Sequence, residues 1–143
     1  MTTEPDQAVR LSRTFEAARE LVWRMWTDPQ EFAAWYGPDG ATIEVGAMDL
    51  RPGGLRTITM RFETPGGPMA MTFTGEFREV DPPRRLVYTE STEGHPETLV
   101  EVDLHEDGDR TTVSLVHHGI PAGSPGEAGW RMALDHLGTR LPR

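Results

Sequence analysis

Over residues 9–15 apolar and polar positions alternate, with Val9, Leu11 and Phe15 on one side and Arg10, Ser12 and Thr14 on the other. A period of two predicts a first strand. The period then lengthens. Ala18, Leu21, Val22, Met25 and Trp26 share one stripe of a helix, away from Arg19, Glu20 and Arg24, and Trp23 lies off that stripe. Asp28-Pro29-Gln30-Glu31 predicts a second helix start, in which Asp28 caps, Pro29 takes the first helical position and Glu31 reaches back to the cap. This helix ends near Trp35, before Gly37-Pro38-Asp39-Gly40. The middle of the chain is strand and turn, with strands predicted over 41–50, 55–62, 69–80, 84–91, 97–106 and 110–118. Gly75 inside the long third of these suggests a bulge or bend. From about Pro125 a last helix places Trp130, Leu134, Leu137 and Leu141 on one face and Arg131, Asp135 and Thr139 on the other.

Registers follow from the turns. Asp107 and Gly108 as the central residues of a hairpin pair Leu104 with Thr111, Val102 with Val113, Val100 with Leu115 and Thr98 with His117, which gathers the apolar residues on one face. Setting Glu90 opposite Thr98 brings Tyr88 to Val100 and Leu86 to Val102. Three rows result: Leu86, Val102 and Val113; Tyr88, Val100 and Leu115; and a polar row of Glu90, Thr98 and His117. An apolar slot with polar groups at one end is how small-molecule sites are built. Met60, Phe62, Met71, Phe73, Trp130 and Leu134 are further lining candidates. The same apolar residues also read as plain core, and Trp23, Trp26 and Trp35 as helix-to-sheet packing. A Glu90 that meets His117 favours a protonated ring, while burial opposes charge on either.

The chain has 143 residues, which predicts a loose tail over 1–7 and one domain over 8–143. The formal net charge of −9 argues against nucleic acid as the main partner. All 14 basic residues are arginine, a composition bias toward that residue. The start is polar and acidic, no apolar run reaches a membrane-spanning length, and cysteine is absent. A cytoplasmic location is the expectation. His117 and His118 are neighbours on a strand and point to opposite faces, and His95, His105 and His136 are scattered, so no metal site is expected. No nucleophile elbow is present, and Gly53-Gly54 and Gly66-Gly67 read as hairpin turns rather than phosphate cradles. No cofactor is expected.

Several segments together resemble one family: Glu20-Leu-Val-Trp-Arg-Met-Trp-Thr-Asp-Pro29, Trp35-Tyr-Gly-Pro38, the run from Gly75 to Tyr88, and Gly129-Trp130 with Leu134 and Leu137. The chain is similar to the START-like (SRPBCC) superfamily, in the branch named after the C-terminal domain of the heat-shock-protein ATPase activator. The resemblance implies an α+β helix-grip fold: a curved antiparallel sheet of about seven strands, two short helices after strand 1, and a long C-terminal helix over the concave face with a pocket beneath it. The leading functional expectation is a module that binds a small hydrophobic or amphipathic ligand, rather than an enzyme. The alternatives are a cyclase or hydratase using Glu90, His117 and Tyr88 on an aromatic or polyketide-like substrate, and, as the family name implies, a protein that stimulates a chaperone ATPase. A homodimer and a chaperone contact are the protein partners left open.

Overall fold

The computed structural model describes residues 7–141, so most of the tail expected over 1–7 lies outside the described residues. The chain runs β1 (Ala8–Phe15), α1 (Arg19–Thr27), α2 (Pro29–Trp35), β2 (Thr42–Met48), β3 (Leu55–Thr64), β4 (Gly67–Asp81), β5 (Arg85–Glu90), β6 (Thr98–Asp107), β7 (Arg110–His118) and α3 (Pro125–Arg140). Every strand pairs antiparallel with its neighbour in one seven-stranded sheet of order β1-β7-β6-β5-β4-β3-β2. This is the expected helix-grip arrangement, in which an apolar sheet face must be covered and α3 covers it.

The helices form where the sequence supplies a stripe and a stop. Val22, Met25 and Trp26 bury one face of α1. Asp28 ends α1 and starts α2, accepting from the backbone N–H of Gln30 at 2.9 Å and of Glu31 at 3.1 Å. The Glu31 side chain does not reach back as expected. The Asp28 N–H already bonds the Arg24 carbonyl, so the Glu31 carboxylate turns to the Arg24 guanidinium at 3.2 Å. Aromatic rings weld the helices together: Trp26 lies 4.8 Å from Trp35 and 5.8 Å from Trp130 of α3, and Phe32 lies 4.5 Å from Tyr36. The Trp35 indole donates to the buried Met25 carbonyl at 2.8 Å.

The β5–β6 register is the expected one, with Leu86 opposite Val102, Tyr88 opposite Val100 and Glu90 opposite Thr98. The β6–β7 register differs by two residues. Asp107 pairs with Arg110, so Gly108 and Asp109 are the central residues, and Gly108 supplies the positive φ of 64° that the tight turn needs. Leu104 therefore faces Val113, Val102 faces Leu115 and Val100 faces His117. A shift of two keeps every side chain on its face, so the inner face stays apolar although each row slides.

β4 is long because it serves both halves of the sheet, pairing with β3 along residues 67–76 and with β5 from Phe77 to Asp81. Its register shift lies between Phe77 and Glu79, not at Gly75. Gly75 is instead a point of close backbone approach: a Cβ there would lie 1.8 Å from the Thr89 carbonyl oxygen. Gly75→Ala is expected to destabilise the protein by about 3 kcal/mol through forced displacement of β5, measured as a lower urea midpoint than that of the wild type.

Candidate functional site

Strand alternation sends Arg56 inward along with Ile58 and Met60 on β3. Arg56 stands opposite Gly75, and Thr74 bridges to Ser91, so Arg56, Gly75 and Glu90 form one row across three strands. With no side chain between them, the Arg56 guanidinium meets the Glu90 carboxylate at 3.2 Å. Both side chains are nearly sealed, at 3% and 6% exposure. The guanidinium carbon sits 3.8 Å over the Tyr88 ring and 5.2 Å from the Phe32 ring, an arrangement that suits a planar, weakly hydrated cation. Burial pushes the Glu90 carboxyl up, against the lowering effect of Arg56.

Next to this pair the hydrogen bonds run in one direction. The Trp130 indole N–H can only donate, and it does so to His117 Nδ1 at 3.0 Å. The ring proton therefore resides on Nε2, which donates to Thr98 Oγ1 at 2.8 Å. The Thr98 hydroxyl in turn donates to the Glu90 backbone carbonyl at 3.1 Å. His117 Nε2 lies 3.9 Å from Glu90 Oε1, beyond hydrogen-bond range. Of the two opposing influences expected on His117, burial wins: its pKa is lowered to about 4 by burial, with His118 and Arg56 adding to the effect. His118 points to the outer face, where it bonds Glu101 at 2.5 Å.

A cavity of about 510 Å³ opens between the sheet and α3. Of the expected ligand-contacting residues, Met60, Met71, Phe73, Glu90, Thr98, His117 and Trp130 line it. The rest lie elsewhere. Val100, Leu115 and Leu134 are buried core, and the shifted register brings His117, rather than Leu115, level with Val100. Tyr88 is fully buried beneath Arg56 with its hydroxyl unpartnered. Phe62 sits farther out on β3 against a separate shallow hollow with Gly40, Thr42 and Met69.

Three loops complete the wall: Tyr36, Gly37 and Pro38 after α2; Ser91, Thr92, His95 and Pro96 after β5; and Gly119 and Ile120 after β7. The first turns of α3 add Gly126, Gly129 and Ala133. Sequence reasoning missed these, as loops carry no periodicity that aims them. It also missed Arg56, although the alternation of Arg56 with Ile58, Met60 and Phe62 was there to be read. Among the described residues no three of His, Asp and Glu converge as a metal site would require.

Two expectations follow. Arg56→Met alone leaves a buried, unpaired carboxylate and should cost about 3–5 kcal/mol, while Arg56→Met with Glu90→Leu should recover most of that loss in urea titrations. For His117, the unfolded ring takes up a proton near pH 6.5 and the folded ring only near about 4. Its stabilising contribution is thus complete above pH 6.5 and is lost as pH falls toward 4. Glu90, shifted upward, acts in the opposite sense, so the comparison must be between proteins. His117→Gln should remove about 3 kcal/mol of the wild-type stability change between pH 6.5 and 4, read from denaturation at each pH.

Comparison with known proteins adds a family. The profile of "Activator of Hsp90 ATPase homolog 1-like protein" matches residues 16–141. A crystal structure of a protein from Chromobacterium violaceum is 28% identical, with a TM-score of 0.85 over 96% of this chain and 99% of the other. CalU16 from Micromonospora echinospora is 31% identical, with a TM-score of 0.67 over 92% of this chain and 74% of its own. A protein from Silicibacter pomeroyi shares the fold at 21% identity and a TM-score of 0.76, over 92% of this chain and 95% of its own. No curated protein matches the chain.

Proposed function

The chain belongs to the family of Activator of Hsp90 ATPase homolog 1-like proteins, and from that premise we propose that it binds a small hydrophobic or amphipathic molecule in the cavity under α3. The observation that carries this reading is the cavity itself. Its volume of about 510 Å³ lies within the range of small-molecule sites, and its wall is mostly apolar with a few polar groups gathered at one side. Met60 and Met71, facing each other across β3 and β4, give one wall side chains that adapt to irregular ligand shapes.

The geometry supports binding over turnover. General acid–base catalysis needs a group free to reach the substrate. Both nitrogens of His117 are engaged, the Tyr88 hydroxyl is closed off in the core, and Glu90 is tied to Arg56 through one oxygen, which leaves its other oxygen as the one free atom of the three candidates and no second group to work with it. The family name describes activation of an Hsp90 ATPase, and no feature of the cavity favours that reading for this chain. No described helix is long and apolar enough to cross a membrane, and the lack of cysteine suits the reducing cytoplasm, where we place the protein.

Gly129 provides the test. It lines the cavity, and a Cβ added there meets nothing within 4 Å. Gly129→Phe should fill the space without strain. In a thermal-shift screen of lipophilic compounds the wild type should gain melting temperature with at least one compound class, and Gly129→Phe should fold but show no such gain. An equal gain in the variant would remove the cavity from the account.

A further inference from the structure

The polar side of the cavity is more selective than its residue types suggest. The relay from Trp130 through His117 and Thr98 ends on the Glu90 backbone carbonyl and occupies both ring nitrogens. Glu90 Oε2 is held by Arg56. Glu90 Oε1 has no hydrogen-bond partner among the described residues, and Glu90 lines the cavity. Tyr36 lines the same cavity, and its hydroxyl makes no hydrogen bond to a described residue. Its phenol lies in the field of Glu90, Tyr88 and Arg56. Beside the relay the cavity thus offers one strong acceptor and one phenol hydroxyl that can donate or accept, while Ser91, Thr92 and the exposed His95 stand on the loop after β5.

Charge narrows the choice further. Burial works against the Glu90 carboxylate, but protonating it would strand the buried guanidinium between two rings, whereas the ion pair at 3.2 Å is neutral as a unit. No arginine lines the cavity, and the chain has no lysine. The N-terminus of α3, the positive pole beside the wall, is already answered by Glu127 in its first turn, which accepts from the Gly123 N–H at 2.9 Å and binds Arg131. An anionic ligand would find no arginine or lysine, the one imidazole beyond His117 being that of His95 on an exposed loop, and a cationic one would add an unbalanced charge to an apolar space.

We infer that the ligand is an uncharged apolar molecule bearing a hydroxyl group, a phenol or an alcohol, whose O–H donates to Glu90 Oε1, and that carboxylates are excluded. A hydroxyl suits the site because it donates a hydrogen bond to the carboxylate and can accept one from Tyr36, whereas an ammonium only donates and a carboxylate only accepts. This rests on the binding function proposed above.

Three probes of one shape test it at pH 7: 4-hexylphenol, 4-hexylbenzoate and hexylbenzene, each titrated by calorimetry and thermal shift. The phenol should bind at least about tenfold tighter than hexylbenzene, as a hydrogen bond to a charged acceptor predicts, and the benzoate weakest of all. In Glu90→Gln, whose amide NH2 would replace the free oxygen, the advantage of the phenol should disappear. Should that variant fail to fold, Arg56→Met with Glu90→Leu removes the same acceptor without leaving a lone charge, and the phenol should again match hexylbenzene. Benzoate binding equal to that of the phenol, or a phenol preference that survives loss of Glu90, would overturn the inference while leaving a binding cavity. No binding of any probe would take down both proposals.

Discussion

The contact between Arg56 and Glu90 organises the interior. Two charged side chains lie almost out of reach of water, and each is tolerable only because the other is there. They come from different halves of the sheet, so the meeting fixes how β3 and β4 fold over toward β5. Gly75 makes it possible by standing between them in register with no side chain of its own. Tyr88 and Phe32 then close over the guanidinium and bind the pair to the helical layer. Sheet curvature, helix placement and the polar side of the cavity all meet at this one row.

The hollow under α3 follows from how the remaining space is filled. Trp26, Trp35 and Trp130 pack the end where the three helices converge. Toward the loops after β5 and β7 the side chains shorten to Gly119, Gly126, Gly129 and Ala133, and packing gives way to volume. Membership of the family accounts for the frame, while the chain's own residues set the size of this volume and the chemistry of its wall.

Much of the frame was legible in the sequence. The alternation of β1, the stripe of α1 and the Asp28-Pro29 start of α2 each report a local preference that tertiary packing reinforces. The β6–β7 register was harder, since Asp107-Gly108 and Gly108-Asp109 are both plausible turn centres and both leave the same residues facing inward. That parity is why Glu90, Thr98 and His117 still converge, diagonally, after their rows have slid. The division between core and cavity was not legible at all. Val100 and Leu115 look no different in sequence from Met60 and Phe73, and only the position of α3 separates them. Arg56 was overlooked for a related reason: its burial is decided by a partner thirty-four residues away.

The indole of Trp130 is the one polar link described from α3 into this relay, and it ends on a ring nitrogen rather than on a carbonyl. A protonated Nδ1 would turn that acceptor into a second donor facing the indole, so this seam between helix and sheet holds only while the imidazole is neutral.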